Sequence, residues 1–304
     1  MPIPLRDAAT VMLVRDAADD DDGGPGLEVC MLRRNLNSDF VGGAYVFPGG
    51  SVDPLDHGDA AEALCRGRTD AEASAVLGID SGGLAFWVAA LRECFEEAGV
   101  LVAQPRQGSA SERGTLLDTT DPLVAARFDA YRDAVNAGTM DLLDVCRRED
   151  LVLAADAVHY VSHWITPHLA PRRYDTRFFV TSAPPGQVAR HDEGETIATV
   201  WIRPTAALAR NAAGTMELLP PTIANLRSLE PFTTSAEVMA WAAGVDAVPA
   251  VLPIVLVEGD RVVVLRPGDP GYEEALAERE ASDGSDDERL LDAARQLWGP
   301  RPEG

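Results

Sequence analysis

The stretch AALRECFEEAGVLV, residues 89–102, decides how this chain is read. Phe86, Ala90, Leu91 and Cys94 recur at helical spacing, and Gly99 stands where a helix ends in the left-handed conformation. The pattern therefore predicts an amphipathic helix that stops at Gly99, with an apolar face free to pack on a sheet, followed by a strand beginning in VLVA. Glu93, Glu96 and Glu97 lie at i, i+3 and i+4, on one helical face. Each like-charge pair at that spacing costs a few tenths of a kcal/mol, and Arg92 offsets part of the repulsion through Glu96. The acids also crowd the last turn, where the helix dipole disfavours anions. Such breaks of local rules concentrate at functional sites. The spacing alone leaves two readings open: a solvated acidic face, or a site for a hard divalent cation.

Outward from this helix, AATVMLVRDA and LEVCMLRR read as strands joined through an acidic, glycine-rich turn, DDDDGGPG. NLNSDFVGGAYVFPGG has glycines at both ends of a strand-like AYVF. Residues 51–83 are polar and Ala-rich, with two short helices, DAAEALCRG and DAEASAVLG, ended by Gly. Residues 118–150 read as helical. HYVSHWITP, YDTRFFVTSA and ETIATVWIRP read as strands, PTAALARNAAG, PTIANLRSL and SAEVMAWAAG as helices, and PIVLVEGDRVVVL as a hairpin turning at Gly259-Asp260. Strands and helices mix without regular alternation, which predicts an α+β fold. The tail from Glu273 is acidic, a loosely held helix or disordered.

YVFPGG ahead of RECFEEAGV resembles the Nudix signature. Gly50 supplies its opening glycine, and Arg92 to Val100 supply its closing half, with Cys94 and Val100 in the apolar slots. Gly50 and Arg92 are 42 positions apart, 28 more than the unbroken signature has, so the box is split by an insertion over about 51–83. Its first glutamate is absent at the usual spacing; Asp56, six residues after Gly50, is the candidate replacement. A split box resembles the subgroup of the mammalian peroxisomal coenzyme A diphosphatases and their bacterial relatives. LRRNLNSDFVGGAYVFPGG, HWITPHLAPRRYDTRFFV, LLPPT and RPGDPGY are similar to that subgroup as well, so the likeness runs from about Ala8 to Tyr272.

The resemblance implies a Nudix-type α/β/α sandwich with a mixed β-sheet, helical insertions and a C-terminal extension. The expected organisation is a Nudix domain over 1–210, a helical and hairpin extension packed on it over 211–272, and an acidic tail over 273–304. It implies Glu96 and Glu97 as principal Mg²⁺ or Mn²⁺ ligands, Glu93 as a further ligand or the base, and a carbonyl ligand from Gly49-Gly50, assigned to Gly50. Arg92 is implied to hold the carboxylates. Glu195 is the candidate for a further acid on a loop, with Glu193 its rival. The implied activity is hydrolysis of a pyrophosphate bond in a nucleoside diphosphate linked to another group, with coenzyme A or acyl-CoA leading. ADP-ribose, NADH and dinucleoside polyphosphates are rivals within the same chemistry, and a nucleotide sensor without catalysis is the reading from another class. The chemistry suits the residues: cations neutralise the diphosphate and acidify a bound water, and carboxylates are their hard ligands.

Arg33, Arg34, Arg173 and Arg177 are the candidate phosphate or substrate contacts. Asp175 reads as a turn or salt-bridge residue. His57, His163, His168 and His191 lack metal-ligand spacing, and Trp164 and Trp201 read as core. The formal charge of −23 repels polyanions, which argues against a nucleic-acid groove as the main feature and against RNA 5′ ends as substrate. Cys30, Cys65, Cys94 and Cys146 have no paired spacing and read as reduced thiols. No leader pattern and no apolar run of spanning length is present. The expectation is a cytoplasmic protein that binds a small-molecule nucleotide, engages neither membrane nor nucleic acid, and follows the Nudix tendency to form a homodimer.

Overall fold

A computed structural model describes residues 4–17, 26–36, 42–107, 115–168, 170, 172–258 and 261–281. The chain runs through β1 (Leu5–Asp16), β2 (Leu27–Arg34), β3 (Tyr45–Val46) and β4 (Gly49–Ser51), then α1 (Asp59–Glu62), α2 (Asp70–Leu77) and α3 (Leu84–Ala98). Next come β5 (Ala103–Pro105), α4 (Pro122–Asn136), α5 (Leu142–Arg148), β6 (Leu151–Leu153), β7 (His159–Ile165), β8 (Arg173–Ser182) and β9 (Thr196–Ile202). Then follow α6 (Pro204–Ala212), α7 (Pro220–Leu229), α8 (Ser235–Ala243), β10 (Ala250–Val251), β11 (Ile254–Glu258), β12 (Arg261–Leu265) and α9 (Tyr272–Ala281). The acidic turn after Asp16, the Gly259-Asp260 turn and residues 282–304 of the tail lie outside the described residues.

One eight-stranded mixed sheet organises the fold, in the order β10-β7-β8-β1-β2-β3, with β4 also paired to β1 and β9 to β2. β1 is its central strand and is buried on both faces. Ala9, Val11 and Leu13 pack into a core with Trp87, Leu91, Cys94 and Phe95 of α3. The alternate residues Met12 and Val14 pack with Leu226 and Leu229 of α7 and Val238 and Ala242 of α8. The period of two along a strand thus sends one sequence to two cores, and the α+β sandwich expected from the sequence is present.

Three details go beyond what the sequence shows. The opposite face of α3 is not its only buried one: Leu84 to Leu91 are buried all round, because α2 covers the side that would face water. The strand after Gly99 starts at Ala103, and its partner β6 was not foreseen, since LVL is too short to show a period. Residues 210 and 211 both lie in α6, and α7 and α8 pack on the sheet face opposite α3.

Candidate active site

The pairing of β1 changes along its length. Leu5 to Val14 are in register with Arg173 to Ser182 of β8, whereas on the other edge Val14 to Asp16 pair with β2 and Ala8 to Thr10 pair with Ser51 to Gly49 of β4. Glycines permit the second pairing. A Cβ at Gly49 would fall 2.6 Å from the Ala9 carbonyl oxygen and 2.7 Å from the Thr10 Cα. A Cβ at Gly50 would fall 2.6 Å from the carboxyl carbon of Glu93. The two glycines therefore let the strand close on the sheet and let the acidic end of α3 close on the strand.

Arg92 ties this junction together. Its Nη1 donates to Glu93 Oε1 at 2.8 Å and to Glu96 Oε2 at 3.0 Å. Its Nε and Nη2 grip the two oxygens of Asp56 at 3.0 Å each, and Nη2 also donates to the Ser51 carbonyl at 2.8 Å. Asp56 is 2 % exposed and lies in a 3-10 turn, Pro54–Asp56, at the start of the insertion. The structure thus brings the candidate replacement acid onto Arg92 rather than onto the other carboxylates. The insertion also caps α3: Asp70 accepts from the amides of Gly82 (2.9 Å) and Leu84 (3.0 Å).

The other end of α3 resolves the dipole conflict. Gly99 takes φ +70° and closes the helix. Arg132 of α4 donates from Nε to the Glu96 carbonyl at 2.9 Å and from Nη2 to the Glu97 carbonyl at 2.7 Å. A cation thus sits at the helix C-terminus after all, supplied from a segment 35 residues away in sequence. Sequence reasoning missed Arg132 and Asp70, since nothing local marks a residue that caps a distant helix.

A cavity of about 560 Å³ opens beside this junction, within the range usual for small-molecule sites. Gly49, Gly50, Arg92, Glu93, Glu96 and Glu195 line it, and Arg34, Arg172, Trp164, Phe178, Pro253 and Val264 contribute to the rest of its wall. Glu97 is buried beneath, with Oε2 accepting from the Gly49 amide at 2.9 Å. Burial pushes the Glu93 carboxyl up to about 7, helped by the charges of Glu96 and Glu195 and opposed by Arg92. Burial also holds Glu97 well above the ordinary carboxylate range, and the Glu93 charge adds to that. Glu96 is raised by burial against the pull of Arg92.

Of the rival loop acids, Glu195 lines the cavity. Asp192 accepts from the Glu195 amide at 3.0 Å and the Thr196 amide at 2.8 Å, and the Asn35 amide donates to the Glu195 carbonyl at 2.8 Å. Glu193 is exposed at φ +62° and is not part of the wall. Arg34 lines the cavity, with a buried Nε that has no hydrogen-bond partner among the described residues. Arg33 instead donates to the Gly43 carbonyl at 3.4 Å and stacks on Tyr45.

Arg173 and Arg177, expected at phosphate, are placed elsewhere. Alternate residues of β8, Tyr174, Thr176 and Phe178, face the cavity, so Arg173 and Arg177 belong to the other face. Arg177 packs over Phe86 of α3 and pairs with Asp175 and His163, while Arg173 donates to the Thr166 carbonyl at 3.2 Å. Asp175 is therefore a salt-bridge residue within a strand. Trp164 is core and cavity wall at once, and half-buried Trp201 lies beneath Arg15. The four cysteines are free thiols.

The donor set suits a divalent cation: hard carboxylate oxygens, clustered and desolvated, beside a backbone that carries no side chain at Gly50. Among the described residues no group of three or more His, Cys, Asp or Glu is gathered as a ready metal site. Glu93 and Glu96 each give one oxygen to Arg92, and Glu97 gives one to Gly49, which leaves further lone pairs on every carboxylate.

A split glycine loop, a helix ending in three acids and the mixed-sheet sandwich around them define a Nudix hydrolase. Residues 69–229, more than half of the chain, match the family model described as the NUDT19 Nudix domain, and the chain belongs to that family. It is 28% identical over 277 residues to the acyl-coenzyme A diphosphatase NUDT19 of Homo sapiens, covering 81% of this chain and 72% of that protein. The protein of the same name from Gallus gallus is 28% identical over 306 residues, with 88% and 80% covered. Among solved structures, a NUDIX hydrolase from Alicyclobacillus acidocaldarius superposes with a TM-score of 0.57 at 27% identity, covering 78% of this chain and 96% of that one. Nudix hydrolases use divalent metal ions. No helix among the described residues is long and apolar enough to cross a membrane.

Proposed function

We propose that this enzyme cleaves the pyrophosphate bond of coenzyme A or an acyl-coenzyme A, giving 3′,5′-ADP and phosphopantetheine or its acyl form. The observation that carries the reading is the convergence of Glu93, Glu96, Glu195 and Gly50 on one end of the cavity, in a chain whose relatives are named acyl-coenzyme A diphosphatase. A bound Mg²⁺ or Mn²⁺ neutralises diphosphate charge and lowers the pKa of the attacking water. Glu96 and Glu97 offer carboxylate oxygens to the cation, and Gly50 offers its carbonyl. Glu93 adds an oxygen or takes the proton of the attacking water; a carboxyl near 7 is matched to proton transfer at neutral pH. Glu195 is the second candidate for that proton. Arg92 keeps Glu93 and Glu96 oriented, and Arg34, whose side chain is part of the cavity wall, offers its guanidinium to phosphate oxygen. Water attacks one phosphorus, and the other phosphate leaves. The four free thiols favour a reducing compartment such as the cytoplasm.

The test is a substrate panel of CoA, acyl-CoA, ADP-ribose, NADH and diadenosine polyphosphates with Mg²⁺ or Mn²⁺, with products identified. CoA or acyl-CoA should give 3′,5′-ADP, and Glu97→Gln should lower kcat by about a hundredfold or more while the melting profile persists. Turnover of ADP-ribose far above CoA removes the substrate assignment. Tight binding of a nucleotide with no turnover of any compound removes the enzymatic reading of this site.

A further inference from the structure

The last turn of α3 carries the acids, and its backbone is closed from outside the helix. An α-helix leaves the carbonyls of its last turn without intrahelical partners. In α3 these belong to Phe95, Glu96, Glu97 and Ala98. The Gly99 amide donates to the Phe95 carbonyl at 3.0 Å. The other three carbonyls are met by two distant segments. Arg132 of α4 donates to those of Glu96 and Glu97, and Asn136 Nδ2 donates to that of Glu96 at 3.2 Å. The Arg190 amide, in the segment between β8 and β9, donates to the Ala98 carbonyl at 2.8 Å. The turn that bears Glu96 and Glu97 is thus fixed by α4 on one side and by the segment leading to Glu195 on the other.

Those two segments are themselves joined. Asp129, Arg132 and Asn136 lie at i, i+3 and i+7 on one face of α4, and Asp129 accepts from Arg190 Nη2 at 3.3 Å. That pair is more than half exposed on both sides, 61% and 54%, and contributes little. Arg132 is the half-buried member of the face. Burial disfavours its charge, and the charges of Asp192, Asp129 and Asp133 support it. Asp192 in turn orders the loop that carries Glu195: it accepts from the Glu195 and Thr196 amides and from Thr196 Oγ1 at 2.7 Å. Glu96 and Glu195 line the same cavity. One guanidinium therefore holds the acidic turn directly and counts the residue that orders the Glu195 loop among its neighbouring charges.

We propose that Arg132 is a positioning residue: through it α4 braces the last turn of α3 against the 190–196 segment and fixes Glu96 and Glu97 relative to Glu195. This rests on the reading of Glu96 and Glu97 as ligands of a divalent cation. The experiment measures Mn²⁺ binding without substrate by titration calorimetry, and kcat and KM for CoA at saturating Mn²⁺, at a temperature where each variant is folded. Arg132→Ala is expected to weaken Mn²⁺ binding about tenfold and to lower kcat at least about tenfold, with KM within about twofold of wild type. Arg132→Lys supplies a point charge in place of a planar fork and should fall between. Asp129→Ala removes only the exposed pair and should stay within about twofold of wild type in both readouts. A cap with no positioning role lowers Tm and leaves Mn²⁺ affinity and kcat of the folded enzyme unchanged; that result in Arg132→Ala overturns the brace. Should Arg132→Ala not fold, Arg132→Lys decides, and wild-type Mn²⁺ affinity there overturns the brace as well. Glu97→Gln separates the two readings. Wild-type Mn²⁺ affinity in Glu97→Gln overturns the assignment of the acids, whereas weakened binding there beside an unchanged Arg132→Ala overturns the brace alone.

Discussion

Removing the metal should make stability fall as pH rises, with Glu93 as a principal cause. Its carboxyl is raised from the ordinary 4.5 to about 7 by burial. Below pH 4.5 both folded and unfolded chains keep this proton, and Glu93 sets no pH dependence. Between 4.5 and 7 the unfolded chain releases the proton while the folded chain retains it, so the folded state loses ground; above 7 the loss is complete. At about 1.4 kcal/mol per pH unit the loss is roughly 3 kcal/mol. With unfolding entropy near 2.1 cal/mol/K per residue, that lowers Tm by roughly 5 °C for a chain of this length. The assay is thermal unfolding in EDTA at pH 5, 6, 7 and 8, for wild type and Glu93→Gln, whose amide does not titrate. The wild-type Tm minus the variant Tm should decline by roughly 5 °C across the series. Asp175 and Asp192 have lowered values, so their stabilisation is lost below about pH 4 and does not enter this window. Millimolar Mn²⁺ or Mg²⁺ should shrink the decline, since the cation binds the ionised carboxylate. A difference that is flat, or that grows with pH, would refute the desolvated-carboxylate argument.

Three further outcomes follow from the geometry. Asp56→Ala removes two of the five hydrogen bonds that hold the Arg92 guanidinium, leaving those to Glu93, Glu96 and the Ser51 carbonyl, and should cost about 1–3 kcal/mol, read by urea unfolding, together with lower activity as Arg92 loses its fixed orientation. Arg132→Ala uncaps α3 and should cost about 1–2 kcal/mol; a variant with unchanged stability contradicts its capping role. Gly50→Ala forces its methyl against the Glu93 carboxyl and should lower kcat by at least about tenfold, with a smaller change in Tm than Asp56→Ala.

The part of this site carried by short-range pattern was readable from the chain. The acids at 93, 96 and 97, the stop at Gly99 and the strand Leu27–Arg34 needed only periodicity and a terminal glycine. Gly49 and Gly50 were visible as glycines, but the reason for them, a close approach of β4 to Ala9 and of Glu93 to Gly50, is a tertiary fact. Arg132 was hidden for the same reason: a cation on one helix capping another leaves no local trace. The placing of Arg173 and Arg177 turned on which residues of a strand face the cavity. That parity is set by the sheet partner, and adjacent arginines look alike until the partner is known. Likewise α7 and α8 read as appended helices, because the sequence does not say that one face of β1 lacks any other cover.

The split box separates Gly50 from Arg92 by 42 positions in place of 14, and the entropy of closing that longer loop exceeds the shorter one by only about 1 kcal/mol. The inserted residues return more than that through Asp56 on Arg92 and Asp70 on the start of α3. Loop and helix are thereby coupled through a segment that must itself be folded. The two halves of the box should consequently protect one another against hydrogen exchange, as a single cooperative unit spanning residues 49–99.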